Sequence, residues 1–515
     1  MIQPIRLLRG FATVGVWTLL SRILGFVRDV LIAGFLGSTA AAEAFLIAFS
    51  LPNMFRRFFA EGAFNMAFVP MFSKKIEAGS RESASEFAGD AFVGLASILI
   101  VFSLLAQAAM PALVYAMASG FYGDNRFDLA VFFGRIAFPY ILFISLAALI
   151  SGALNALGRF AAAAAAPVLL NIILIAAIAF GAMGGWNIAL TMTIAVPFAG
   201  IAQLALVWIA LRQAGFVVPL RWPRLTPELR RLAVIAAPAA LAGGVVQVNL
   251  LVGRQVASRF DGAIAWLSYA DRLYQLPLGL VGVAIGAVLL PDLSRRLQAE
   301  DGSGARNAFN RALEYALLLT LPAAVALVVI PLPLVSVLFE RGAFEASDSQ
   351  ATALAVAIYG LGLPAFVLQK IIMPLYFARE DTRTPFRFAV VAMVVNAVLA
   401  FGLMLVWGYL AAAVATTLSS WVLLALLWRG SRGMGDAARL DDGLRRSLPR
   451  MVLSCAVMAV AVFAAAQVFG PWLEMSGMRY VALGLLVAVG AVVYGAVVLA
   501  SGAVRIADLR AALRR

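Results

Sequence analysis

The eight residues FVPMFSKK, Phe68 to Lys75, return 221 residues later as LLPDLSRR, Leu289 to Arg296. Each copy is an apolar run with a proline in it that ends on a basic pair, which is how a membrane helix meets the cytoplasmic surface. Three further matches follow in the same order. MPALV (Met110 to Val114) falls on IPLPLV (Ile330 to Val335), FPYI (Phe138 to Ile141) on LPAF (Leu363 to Phe366), and Asn171 in LLNI on Asn396 in VVNA, at offsets of about 220 to 225. A nearly constant offset over four matches predicts two homologous halves.

Composition says what the halves are made of. Of 515 residues, 63% are hydrophobic and 13% charged, against roughly 45–50% apolar and about 25% charged in soluble domains. Apolar runs long enough to cross a bilayer recur along the whole chain, and the period-2 pattern of an outer-membrane barrel is absent. The reading is an all-α polytopic membrane protein with fourteen transmembrane spans at approximately 11–36, 43–72, 87–118, 128–156, 161–184, 187–211, 232–258, 263–293, 311–338, 349–377, 386–407, 409–428, 449–470 and 479–502. Spans 1–6 (residues 1–213) and 7–12 (214–430) form two six-helix lobes. The offset moves by an even number of spans, so the lobes share one orientation and are related by a parallel pseudo-twofold. Spans 13 and 14, with a basic tail (431–515), stand outside the repeat. The N-terminus, MIQPIRLLRG, reads as the start of a retained span and not as a cleaved signal.

Charge sets the orientation. Of the 40 Lys and Arg, 28 fall at one set of span ends and four (Arg126, Arg259, Arg341 and Arg479) at the other, so both termini are expected in the cytoplasm. The net charge of +14 is mostly this topological signal. Attraction to anionic headgroups follows from it, and nucleic-acid binding is not expected. The chain has no histidine and a single cysteine, Cys455, which excludes a disulfide framework, Cys/His zinc sites and Ser-His-Asp chemistry.

The eight remaining basic residues lie inside or near spans, where an ionised side chain costs roughly 2.5–3.5 kcal/mol to insert and so marks a wet cavity or a partner. They are concentrated early. Spans 1 and 2 hold Arg22, Arg28, Asp29, Glu43, Arg56, Arg57 and Glu61, while the matching spans 7 and 8 hold Arg254, Asp271 and Arg272. Ser21, Gly25 and Arg28 share a face by i, i+4, i+7 spacing, with Arg22 turned about 120° away from Arg28. In SLPNMFRRFFAEGAF (Ser50 to Phe64), Pro52 bends the helix next to Asn53, Arg56 and Arg57, and Glu61 pairs one of the two arginines. The offset of 221 puts Arg272 opposite Leu51, so Arg272 is expected to face those arginines from the other lobe. The result is a cavity rich in Arg, whose rigid fork suits phosphate and carboxylate. Its complement is an anionic, phosphate-bearing substrate.

SRILGFVRD (Ser21 to Asp29), AFLIAFSLPNMFRRFFAEGAFNMAFVP (Ala44 to Pro70), ADRLYQLPLGLVGVAIGAVLLP (Ala270 to Pro291) and REDTRTP (Arg379 to Pro385) resemble the MurJ (MviN) lipid II flippases of the multidrug/oligosaccharidyl-lipid/polysaccharide exporter superfamily. The resemblance covers essentially the whole chain. It implies transport of lipid II, the undecaprenyl-pyrophosphate-linked peptidoglycan precursor, from the inner to the outer leaflet of the bacterial cytoplasmic membrane. It further implies Arg22, Arg28, Arg56 and Arg272 as cavity arginines, with Asn53, Arg57 and Glu61 beside them, and spans 13 and 14 as a groove for the lipid tail. Ser21 joins the substrate-binding set, and Asp29, Glu43, Arg57, Glu61 and Asp271 its supporting charges. Some relatives bind sodium between spans 7, 11 and 12. Here Asn396 and Thr416 are candidate ligands, but Ala400 stands where a carboxylate is expected and Val252 holds the span-7 position, so no metal or other cofactor is expected and membrane potential is the expected energy source. The other expected partners are membrane lipids and the cell-wall synthesis machinery, with the chain acting as a monomer. A flippase for another polyprenyl-pyrophosphate-linked glycan is the alternative. A cationic-drug antiporter needs an acidic cavity, and an enzyme acting on polyprenyl phosphates, with Glu61 and Asp271 as acid and base, lacks a nucleophile or metal cluster.

Overall fold

The computed structural model describes residues 4–56 and 63–503. Arg57 and Glu61 lie outside the described residues. Helices account for nearly all of the rest, and among the described residues the only β-type pairing is an isolated bridge between Arg341 and Phe344. By contacts the chain divides into two compact units, at Ala265/Trp266.

The first unit contains α1 (Pro4–Leu36), α2 (Ala40–Arg56), α3 (Ala63–Glu77), α4 (Arg81–Ala108), α5 (Met110–Met117), α6 (Asn125–Ala137), α7 (Tyr140–Ala156), α8 (Phe160–Gly184), α9 (Ile188–Gln213) and α10 (Pro227–Ala257). The second runs from within α11 (Ala263–Gln298) through α12 (Gly302–Val329), α13 (Pro331–Phe339), α14 (Ala346–Phe377), α15 (Arg383–Trp407), α16 (Leu410–Ser431), α17 (Asp442–Glu474) and α18 (Arg479–Ala500). Among the described residues nine helices are long and apolar enough to cross a membrane: α4, α8, α9, α12 and α14 to α18. The pair α6 and α7, bent by 40°, makes a tenth if counted as one span. Of the helices that carry charges inside or near spans, α1, α2, α10 and α11 stand outside the nine.

Short polar residues start the helices where chain direction reverses. Ser80, Asp124, Asn187, Thr226, Asp301 and Asp441 each accept a backbone N–H from the first turn that follows, satisfying a donor the helix cannot. Proline marks two breaks: α4 gives way to α5 at Ala109, just before Pro111, and α12 to α13 at Ile330, just before Pro331. Those breaks coincide with the MPALV/IPLPLV match. Likewise α3 and α11 each contain the proline of the opening repeat, Pro70 or Pro291, and end on Lys74–Lys75 or Arg295–Arg296.

Packing repeats as well. In the first unit α9 lies against α7 and α8, and in the second α16 lies against their counterparts α14 and α15. The first helices depart from the repeat: α1 packs along α8, whereas α10, which the repeat matches with α1, packs on α3. α17 and α18 pair with each other and lean on α12. Tyr494 donates its hydroxyl to the Leu318 carbonyl at 3.0 Å, and the linker before α17 is held on α12 by Asn310, which accepts the Asp441 N–H at 2.9 Å, and by the Arg311–Asp441 ion pair at 2.9 Å.

Candidate functional site

The shared face of Ser21, Gly25 and Arg28 packs against one residue of α8, Asn171. Arg28 is 7% exposed and Asp29 6%. The Arg28 guanidinium donates to Asp29 Oδ1 from Nε at 3.0 Å and Nη2 at 2.7 Å, and from Nη1 to Asn171 Oδ1 at 2.9 Å. Asn171 Nδ2 donates in turn to the Ser21 carbonyl at 3.0 Å, which fixes the amide so that its oxygen points at the arginine. The amide lies directly against Gly25, where a Cβ would meet it at 3.5 Å, an ordinary contact. The guanidinium also sits over the Phe49 ring, 5.7 Å from its centroid, where the ring's negative face favours a cation. A charge-assisted network of this kind is rigid, and it offsets the cost of burying the arginine.

Arg22, on the far side of the same helix, is exposed. The helical spacing predicts that divergence, and the structure accordingly does not bring Arg22 to Arg28. In α2, Asn53 donates to the Phe49 carbonyl at 2.8 Å and Ser50 to the Leu46 carbonyl at 2.5 Å, so both side chains turn back onto the helix around Pro52. Arg56, half-buried, closes the described part of α2, beside Phe55 whose ring meets Phe102 and Phe138 at 5.0 and 5.9 Å.

Glu43 occupies a different network. It is 1% exposed, and it accepts Arg126 Nη1 at 3.1 Å on one oxygen and the Ile264 N–H at 3.0 Å on the other. Arg126 bridges onward to Asp124 at 2.6 Å and Asp261 at 2.8 Å, with the Phe121 ring 4.6 Å away. The Arg126 backbone N–H, helped by its guanidinium, holds the Asp124 carboxyl below the usual carboxylate range. Next to it Gln255 and Ser258, at the end of α10, bind Ser119 and Gly120. Gly120 lies so close to the Ser258 carbonyl group that a side chain there would collide with backbone. Residues 118–126 and 255–264 are thereby fastened together through Glu43 and Arg126. Sequence reasoning missed Arg126, Asp124, Asp261 and the role of Asn171; the signals are that Arg126 is one of only four basic residues at its set of span ends, and that Asn171 is polar in an apolar helix.

In the second unit Asp271 accepts an N–H from Gln275 one turn on, and Tyr274 stacks on Phe366 at 5.2 Å. Arg272 is exposed. Asn396 is 1% exposed, and Thr416 donates to the Ala412 carbonyl at 2.8 Å. Among the described residues no group of three or more His, Cys, Asp or Glu side chains is placed to hold a metal.

A family profile described as "Lipid II flippase MurJ" matches residues 32–483. The chain belongs to the MurJ lipid II flippase family. Among curated MurJ proteins it is 43% identical to the probable lipid II flippase MurJ of Rhizobium meliloti (strain 1021), covering 99% of this chain and 96% of that one. It is 37% identical to the lipid II flippase MurJ of Burkholderia cenocepacia, over 76% and 77%. Among solved structures its fold matches a lipid II flippase MurJ described as inward closed, with TM-score 0.77 and 24% identity over 94% of this chain and 97% of that chain. It also matches a multidrug-resistance MATE transporter of the MOP superfamily, with TM-score 0.68 and 14% identity over 81% and 95%. A MurJ chain is therefore built here on the all-helical fold shared with MATE transporters.

Proposed function

We propose that this chain is a lipid II flippase, moving the undecaprenyl-pyrophosphate-linked precursor from the inner to the outer leaflet of the bacterial cytoplasmic membrane by alternating access. Family membership over most of the chain carries the reading, and the buried Arg28 network supports it. Four arginines, Arg22, Arg28, Arg56 and Arg272, with Ser21 and Asn53, bind the pyrophosphate, because a guanidinium stays charged at any physiological pH and meets phosphate through paired N–H donors. Asp29 holds Arg28, and Glu43, Arg57, Glu61 and Asp271 are the supporting charges, Glu43 acting through Arg126.

Fourteen spans in two six-helix lobes (1–213 and 214–430) with a C-terminal pair (431–515) suit this work, the lipid tail running along spans 13 and 14. Both termini face the cytoplasm. The carrier works as a monomer beside the cell-wall synthesis machinery, without a bound cofactor, and the inside-negative potential resets the empty, positively charged site. It transports its substrate without chemically altering it.

Depleting the protein in cells distinguishes lipid II from other polyprenyl-pyrophosphate glycans. Lipid II is expected to accumulate several-fold while glycolipids of other pathways stay level; accumulation of a different glycolipid with lipid II unchanged transfers the assignment to that substrate.

A further inference from the structure

Residues 216–226, between α9 and α10, have no regular secondary structure, yet they are firmly held. Ser85 donates to the Val217 carbonyl, Arg221 pairs with Glu86 at 2.9 Å, and Gly89 packs so tightly on Pro219 that a Cβ would clash. Phe216, buried, meets the Phe72 ring at 5.3 Å, and Val218 is buried beside it. Four of the segment's apolar residues are bare: Trp222 is 87% exposed and Leu225 86%, with Val217 at 65% and Leu220 at 64%. Arg221, Arg224, Arg230 and Arg231, all exposed, surround them.

We infer that this segment is a docking surface for anionic phospholipid headgroups, with Trp222 and Leu225 sunk at the acyl boundary and Arg224, Arg230 and Arg231 on the phosphates. Two observations select a lipid surface. The segment leaves the end of one apolar span, α9, and is pinned to the first three turns of another, α4, so it lies where the span ends meet the interface. A Trp–Leu face ringed by arginine is the chemistry that partitions there. Pinning the backbone beforehand leaves little ordering cost on docking. The inference goes beyond substrate transport, because none of these residues belongs to the proposed pyrophosphate set.

The test uses the full chain in nanodiscs, carrying Cys455→Ala and an environment-sensitive fluorophore on Leu225→Cys, with phosphatidylcholine alone or mixed with phosphatidylglycerol. In the mixed bilayer the probe is expected to be quenched by brominated lipid and shielded from aqueous iodide. Arg224→Gln/Arg230→Gln, which leaves the Arg221–Glu86 pair intact, is expected to shift docking by roughly 25-fold, about fivefold for each arginine near an anionic surface. An unchanged melting temperature shows that the variant is folded. Equal iodide access in both bilayers, or no response to the double substitution, overturns the inference; shielding that instead requires an added cytosolic protein does so too, in favour of a protein partner.

Discussion

Arg28→Ala is expected to abolish translocation and, by itself, also to destabilise the protein. It leaves the Asp29 carboxylate, 6% exposed, without the guanidinium that binds it at 2.7 Å, and breaking a buried pair from one side costs about 3–5 kcal/mol. Stability and transport are separable because Arg28→Ala/Asp29→Asn removes both charges. The double variant is expected to recover most of the lost melting temperature, while lipid II flipping in proteoliposomes stays at background. If it flips at the wild-type rate, Arg28 is only the partner of Asp29 and does not bind substrate. Asn171→Ala is intermediate. It removes one hydrogen bond to a charged group, about 1.5–3 kcal/mol, and frees the guanidinium to turn, so substrate binding should weaken more than the turnover of bound substrate. Arg28→Lys is not a conservative change here, since a single ammonium cannot hold Asp29 and Asn171 in the geometry of the fork.

The second large effect belongs to Arg126. One guanidinium holds Glu43, Asp124 and Asp261, and only Glu43 is fully buried. Arg126→Ala is therefore expected to cost about 3–5 kcal/mol. Asp261→Asn, at a carboxylate 91% exposed, should cost no more than about 1 kcal/mol. A double-mutant cycle on Arg126→Ala and Glu43→Gln, read by thermal melting in detergent, should return most of the Arg126 loss as coupling. Additive losses would show that the two side chains do not act together. Because the network fastens residues 118–126 to 255–264, its weakening is also expected to raise the reactivity of a cysteine placed at Ser119 towards a water-soluble thiol reagent.

Much of this architecture is legible in the order of the residues alone. The apolar runs mark the chain as a helical membrane protein, and the matched prolines put the α4/α5 and α12/α13 breaks at corresponding points. Helical spacing puts Ser21, Gly25 and Arg28 on one face and turns Arg22 away. What packs on that face is not legible, because Asn171 is 143 residues from Arg28 and no local rule joins them. Arg126 is the same case: its partners Glu43 and Asp261 lie far off in the chain and meet it only through tertiary packing. Its one trace in the sequence is scarcity, a lone basic residue at a span end where charge bias leaves few. The loop at 216–226 is opaque for the opposite reason. Its prolines and arginines mark it as a connection, and only the folded chain shows which apolar residues face inward and which are left bare.

Leaflet accessibility of lipid II in cells bears most directly on the proposed function. With the protein present and the membrane potential intact, lipid II is expected to be open to an enzyme or probe added from outside. On depletion, on Arg28→Ala/Asp29→Asn substitution, or on collapse of the potential it is expected to become inaccessible and accumulate inside. Lipid II that stays exposed outside after depletion, with this chain the only flippase candidate expressed, would contradict the assignment.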